Sequence, residues 1–295
     1  MTLSIEPLTA SFGARVGGFS IRDGVDEETF AAIEAAFEEH QVLLFPDQPV
    51  SDEEQIAFSE RFGVLEGTLK GAVGADSKIA RITNILPDGS LKDPDSQLAL
   101  FTRANIFWHA DSTFKPVPAK ASLLSARIVP PEGGDTEFAS TRAAWAALPE
   151  KTQSEIAELV AVHDLAFSRE KLSPDAISAE QRAAMPPVQQ ALVRTNPVNG
   201  RKALLLGAHV SGIVGMSDVL GRALHDTLME FATQPAFTYR HAWQPDEIVM
   251  WDNRCVLHRG HLYDERQHRR LMIRTTVEGA GPTAEAGRVL PAAAA

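Results

Sequence analysis

The sequence predicts a mainly β protein with flanking helices, arranged as an antiparallel barrel or sandwich. Short apolar and β-branched runs recur along most of the chain, and few segments carry helical periodicity. Strands and helices also lack the regular alternation that a parallel sheet needs, and there is no internal repeat. We place one domain at residues 1–278.

Taken in order, Asp26 to His40 sets Phe30, Ile33, Ala36 and Phe37 at helical spacing, an amphipathic helix. Gln41 to Pro46 reads as a buried strand ended by proline, and Ser51-Asp52-Glu53-Glu54 as a capping box opening a helix to about Phe62. Strands are expected at 79–85, 122–129, 136–139, 161–167, 191–195, 203–206, 237–241, 247–251 and 270–277, and helices at 141–148, 151–159 and 218–232. The polar stretch 168–189, with Pro174, Pro186 and Pro187, reads as an insertion over a site. The Ala-, Gly- and Pro-rich segment 279–295 is expected to be a frayed tail.

Composition narrows the function. With 44% hydrophobic and 23% charged residues the chain is an ordinary globular protein, and a net charge of −11 argues against a nucleic-acid partner. The single cysteine, Cys255, excludes a disulfide framework and a Cys-based zinc site. No apolar run approaches the ~18–20 residues of a membrane span. The N-terminus lacks the basic and apolar regions of a signal peptide, so the cytoplasm is the expected location and the membrane is not a partner.

The chemistry concentrates in Asn105 to Phe114. His109 and Asp111 lie two apart, so on an extended strand both face the same side. Such a pair arises readily by chance and also suits a hydrogen-bonded loop. A distant third His would complete the two-His-one-carboxylate face that holds Fe(II) with three positions open. The run Trp251 to Gly260 offers one: an apolar strand, a polar turn, then His258. Downstream, Arg270 and Arg274 share a strand face opposite Leu271 and Ile273. An inward arginine calls for an anion, while pairing with a surface Asp or Glu is the plainer reading for either alone.

These segments, with Pro131 to Phe138, Val193-Arg194-Thr195, Gly200-Arg201-Lys202 and Trp251-Asp252-Asn253-Arg254, resemble the α-ketoglutarate-dependent, non-haem Fe(II) dioxygenases of the taurine dioxygenase and chlorophenoxyacetate dioxygenase (TauD/TfdA) family. The likeness runs from about Phe45 to Thr276. Met185-Pro186-Pro187, Gly207-Ala208-His209 and Tyr239-Arg240-His241 look most like the aryloxyalkanoate-cleaving branch.

The resemblance implies a double-stranded β-helix (jelly-roll) core. It implies His109, Asp111 and His258 as iron ligands, with α-ketoglutarate as co-substrate and O₂ in the remaining position. Thr136 and Arg270 would meet the distal carboxylate of α-ketoglutarate, Asn105 would lie beside co-substrate and substrate, and Arg274 would meet the substrate's anionic head. Lys70 is either a substrate contact from a lid or a solvated loop lysine. The implied reaction hydroxylates a small anionic substrate. If the attacked carbon carries an ether oxygen, a hemiacetal forms and collapses to a phenol and a short oxo-acid, with succinate and CO₂ as co-products. The same family likeness suggests a homo-oligomer.

Two departures stand out. The spacing from His258 to the arginine pair is one residue longer than the family's, so Arg269 competes with Arg270; strand parity favours Arg270. Asn196 stands where relatives carry His. Cys255 reads as a small buried hydrophobe rather than a nucleophile, and Asp252 and Asn253 as either ligand supports or a plain turn. Trp108 and Phe114 read as packing, His163 and His209 as buried supports, and Arg194, Arg201 and Lys202 as the surface of a hairpin.

The alternatives are a taurine- or alkylsulfonate-type dioxygenase of the same family, a zinc hydrolase, and a non-catalytic metal- or carboxylate-binding barrel. The hydrolase lacks an evident general-base Glu and leaves Thr136 and Arg270 without purpose.

Overall fold

The computed structural model describes residues 2–67, 77–96, 99 and 103–293. Seven strands form one sheet in the spatial order β1 (Ser4–Pro7), β2 (Ala14–Gly17), β3 (Val42–Phe45), β13 (Ile248–Asp252), β5 (Ala121–Ile128), β15 (Leu271–Val277) and β4 (Ala80–Thr83). All neighbours are antiparallel except β2 and β3. A second sheet, β12 (Thr238–His241), β6 (Thr136–Ser140) and β14 (Val256–Gly260), lies across from it. Together they make the jelly-roll core.

Alternation along the strands explains the layering. In β13, Val249 and Trp251 join Val42, Leu44, Leu124 and Met272 against Phe138 and Val256 of the second sheet. The intervening Ile248 and Met250, with Leu43, Phe45 and Leu123, face outward onto Phe30, Ile33 and Phe37 of α1 (Glu27–His40) and Phe58 of α2 (Asp52–Glu60). A strand covered on both faces has no polar side, which is why these segments read as continuous apolar runs. The helix starts follow the expected caps. The Asp26 side chain accepts from the Thr29 N–H, and Ser51 and Glu54 form the reciprocal box.

The outer face of the second sheet is covered by α3 (Thr141–Ala147), α7 (Asp218–Ala232) and small strand pairs. These comprise β7 (Val160–His163) with β8 (Val188–Ala191) and β11 (Val210–Ile213), and β9 (Val193–Thr195) with β10 (Lys202–Leu204). A short helix α4 (Glu150–Ile156) leads into β7.

Two expectations need correction and one, the 168–189 insertion, gains detail. The strand foreseen over 161–167 ends at His163, because the Asp164 side chain caps the N–H of Ala166 and starts α5 (Leu165–Glu170). The stretch 168–189 is a packed element. It carries a 3₁₀ turn (Pro174–Ala176) and α6 (Ala179–Ala184), and its Ile177 and Met185 join Leu165 against Phe114, three residues past Asp111. The segment after 279 is not frayed throughout, because β16 (Ala284–Glu285) and β17 (Arg288–Val289) form a hairpin. Its turn residues Ala286 (φ 48°) and Gly287 (φ 77°) both take left-handed backbone, as a two-residue hairpin turn demands. The buried Thr283 hydroxyl bonds Gln190 and accepts the Ala191 N–H, which ties the hairpin to β8. An Ala-Gly turn lacks the usual Asn-Gly signature, which hid the hairpin from composition.

Thr283→Val should therefore loosen residues 284–290. Hydrogen exchange there should accelerate, with a stability loss of about 1–3 kcal/mol; unchanged exchange would mean the hairpin is not held by this hydroxyl.

His163 is fully buried with neither ring nitrogen hydrogen-bonded among the described residues, and burial pushes its pKa down to about 3. Its folded pKa lies below the unfolded value, so the stability it permits is present above about pH 6.5 and is lost as pH falls toward 3. Urea melts at pH 5 and pH 8 should differ less for His163→Leu than for the parent chain.

Candidate metal and co-substrate site

The site begins with a backbone pairing. His109 and His258 exchange both main-chain bonds, His109 N–H to His258 O at 3.0 Å and His258 N–H to His109 O at 2.8 Å. Side chains of such a pair leave the same face, and the two imidazole rings stand 4.2 Å apart, centre to centre. The expected strand at His109 is thus a single bridge. Ser112, in left-handed backbone (φ 58°), turns the chain away just after Asp111. His109, Asp111 and His258 are all buried, and each offers a ligand atom within 4.8 Å of the others.

The surroundings orient each of the three. His109 Nδ1 lies 2.8 Å from the Phe107 carbonyl, which can only accept, so Nδ1 carries the proton and Nε2 keeps its lone pair. Asn253 bonds the Asp111 backbone through Oδ1 (3.0 Å) and donates to Ser122 Oγ (2.9 Å), which donates to Asp111 Oδ2 (2.7 Å). Trp251 Nε1 fixes Asn253 in turn, and the Trp251 ring lies 4.6 Å from that of His258. Asn253 is therefore a support for Asp111 and not merely a turn residue, whereas Asp252 turns away to pair with Arg254.

Burial would raise the Asp111 pKa, but Arg274, with Nη1 2.6 Å from Oδ1, and the two histidines outweigh it and hold the carboxyl well below the usual range. Burial pushes both imidazoles below their ordinary value, His258 further because His109 adjoins it. At neutral pH the trio is two neutral imidazoles and one carboxylate, the protonation a divalent metal needs.

A second group surrounds Arg270. Gly134, in left-handed backbone (φ 72°), lets the chain pass so close that a Cβ there would sit 3.2 Å from Arg270 Nε. Arg270 Nη2 donates to Gly134 O (3.1 Å), Asn84 Oδ1 accepts its backbone N–H (2.9 Å), and its buried Nε has no partner among the described residues. Arg270 shares a cavity of about 100 Å³ with Asn105, Asn84, Gly260 and Tyr263. Thr136, two residues past Gly134, accepts from Trp243 Nε1 at 3.0 Å, which leaves its hydroxyl proton to donate. Arg269 instead points outward to Gly89 O (2.9 Å).

Not every expected residue stands free. Arg274 is engaged with Asp111, and Lys70 lies outside the described residues. Asn196 bonds Glu38 at 2.7 Å, in a cluster with Arg254, and makes no bond to the trio. His209 is buried 6.1 Å ring to ring from His109 and contacts Ser168, a supporting position.

Sequence reasoning missed Ser122, Asn84, Trp243 and Arg169. Ser122 left a faint signal as a hydroxyl inside an apolar strand; the others left none. Arg169, on α5, is buried, interacts electrostatically with Asp111, Arg274 and His109, and is pushed down to about 10 by burial first and by Arg274 second.

Known proteins resemble the chain over most of its length. The chain is 42% identical to an α-ketoglutarate-dependent 2,4-dichlorophenoxyacetate dioxygenase of Cupriavidus pinatubonensis, covering 95% of this chain and 99% of the relative. It is 38% identical to an (S)-phenoxypropionate/α-ketoglutarate-dioxygenase of Sphingobium herbicidovorans, covering 93% and 94%. The crystal structure of AAD-2 in complex with Mn(II) and N-oxalylglycine superimposes with a TM-score of 0.89 at 42% identity, over 97% of this chain and all (100%) of that one. Residues 4–276 match the family "Taurine catabolism dioxygenase TauD, TfdA family". This chain, with its paired histidines and inward arginine, belongs to the TauD, TfdA family of dioxygenases.

Proposed function

We propose that this chain is an Fe(II)- and α-ketoglutarate-dependent dioxygenase that cleaves the ether of an aryloxyalkanoate, of phenoxyacetate or phenoxypropionate type. The products are a phenol and a short oxo-acid, with succinate and CO₂. The observation that carries this reading is the convergence of His109, Asp111 and His258 in one buried spot, on the same β scaffold as an arginine whose Nε lacks a partner. The names of the relatives at 42% and 38% identity support the aryloxyalkanoate class over the alkylsulfonate one.

The donor set fits the metal: two neutral imidazoles and one carboxylate are the facial triad that leaves positions open on Fe(II). When bound, the iron supplies O₂ activation coupled to decarboxylation of the keto-acid. The protein's own contribution is placement. Ser122 and Asn253 hold the Asp111 carboxylate, and Phe107 O fixes the His109 tautomer. Arg270 and the Thr136 hydroxyl receive the distal carboxylate of α-ketoglutarate, an anion the arginine fork matches in charge and shape. Asn105 borders the same cavity. Arg274 meets the carboxylate of the substrate, with Lys70 as a further cation for it. The buried walls exclude water so that the attacked C–H is held in one orientation.

The working unit is one domain, residues 1–278. No helix among the described residues is long and apolar enough to cross a membrane, and a cytoplasmic homo-oligomer acting on a small anionic molecule completes the reading.

Succinate formation from α-ketoglutarate, measured under air with and without Fe(II) and a panel of aryloxy acids, tests it. Iron-dependent succinate stimulated by an aryloxy acid, with release of the matching phenol, is the expected result; stimulation by taurine or alkyl sulfates alone would overturn the substrate assignment. Asp111→Ala should abolish both Mn(II) binding and succinate formation. Arg270→Ala should raise the KM for α-ketoglutarate on the order of 10²-fold, while Arg269→Ala should leave it near the parent value; the reverse pattern would transfer the role to Arg269.

A further inference from the structure

A cavity of about 280 Å³ lies between the C-terminal hairpin and the body of the protein, and none of the metal or co-substrate candidates lines it. Arg194 does. The guanidinium on β9 was expected at a hairpin surface, beside Arg201 and Lys202. Arg201 does pair with Glu39, but Arg194 is turned inward. It makes no ion pair or hydrogen bond with any described side chain, its Nη1 is buried without a partner, and the part it exposes lines the cavity. Burial first, and Arg254 second, push its pKa down to about 10, so it stays charged at neutral pH.

Neighbouring acids are already committed. Asp252 and Glu38 both bond Arg254, which also lines the cavity but is saturated by them. Lys120 adds a second cation; its Nζ donates to Phe62 O and forms no ion pair among the described residues. Glu278, the acid on the lining, is solvent-exposed. Besides Thr195 and Thr283, the remaining walls are apolar, from residues such as Phe62, Val64, Val193, Val289 and Leu290. A half-buried arginine with a buried, unpartnered Nη1 is costly, and its planar fork matches a carboxylate.

We infer that this cavity is a second ligand site, separate from the catalytic centre, for a small monocarboxylate with an apolar body, held by Arg194 with Lys120 assisting.

Equilibrium dialysis of radiolabelled benzoate tests the inference on the Mn(II)-loaded protein with N-oxalylglycine present. Arg274→Gln in all samples removes the anion contact at the catalytic centre. One saturable benzoate site per chain should remain, and adding Arg194→Gln should weaken it at least tenfold. Val289→Trp, which fills the cavity and keeps the arginine, should do the same if Arg194→Gln fails to fold. Uncharged benzyl alcohol should not displace benzoate. Absence of a saturable site, retention of full affinity in both variants, or displacement by the alcohol would each overturn the assignment.

Discussion

The reciprocal backbone pairing of His109 with His258 is the constraint on which the site depends. Two residues far apart in the chain are joined by two main-chain hydrogen bonds, and that single bridge fixes both imidazoles on one side. Everything nearby serves the geometry it sets. Asp111 is placed by Asn253, which follows β13, and by Ser122 of β5. The carboxylate is thus tied to the large sheet, while the His pair belongs to the edge of the small one. A metal held by all three would clamp the two sheets together.

The charges follow the same division. The large sheet supplies Arg274 to Asp111, and Arg270, just before β15, reaches the Gly134 turn that leads into the small sheet. Both arginines turn toward the interior, while Thr275 meets Ser59 of α2 on the outer face. A buried carboxylate among three cationic or donor groups stays ionised, and a buried imidazole pair stays neutral. All three shifts run downward but from different causes: burial lowers the two imidazoles, whereas at Asp111 burial acts the other way and is outweighed by Arg274 and the histidines. They also explain why the trio can take a metal at neutral pH without first losing a proton.

The scaffold's rigidity comes from its layers. Strands β3, β5 and β13 are buried on both faces, one against the helices α1 and α2 and one against the small sheet. The small sheet is covered in turn by α3 and α7. The ligands therefore sit between two packed layers rather than on a surface loop, and their support residues inherit that order. The exception is the 168–189 element, a cover of short helices that brings Arg169 to the site and rests on a small apolar cluster of its own.

The strand and helix pattern, the caps at Asp26 and Ser51, the His109/Asp111 pair, His258 and the inward arginines were legible in the sequence, because period, capping and ligand chemistry are local properties. Strand parity already favoured Arg270 over Arg269, and the inward Arg270 at the Gly134 turn and the outward Arg269 at Gly89 follow that parity. Trp243 and Arg169 left no signal and Ser122 only a faint one, because each acts through a partner remote in the chain. The C-terminal hairpin likewise depends on contacts with β8 that composition does not encode. By itself the sequence determined which groups are available for chemistry. The tertiary structure alone decided which of them meet, because long-range pairing sets distance and burial, and those set charge, orientation and reactivity.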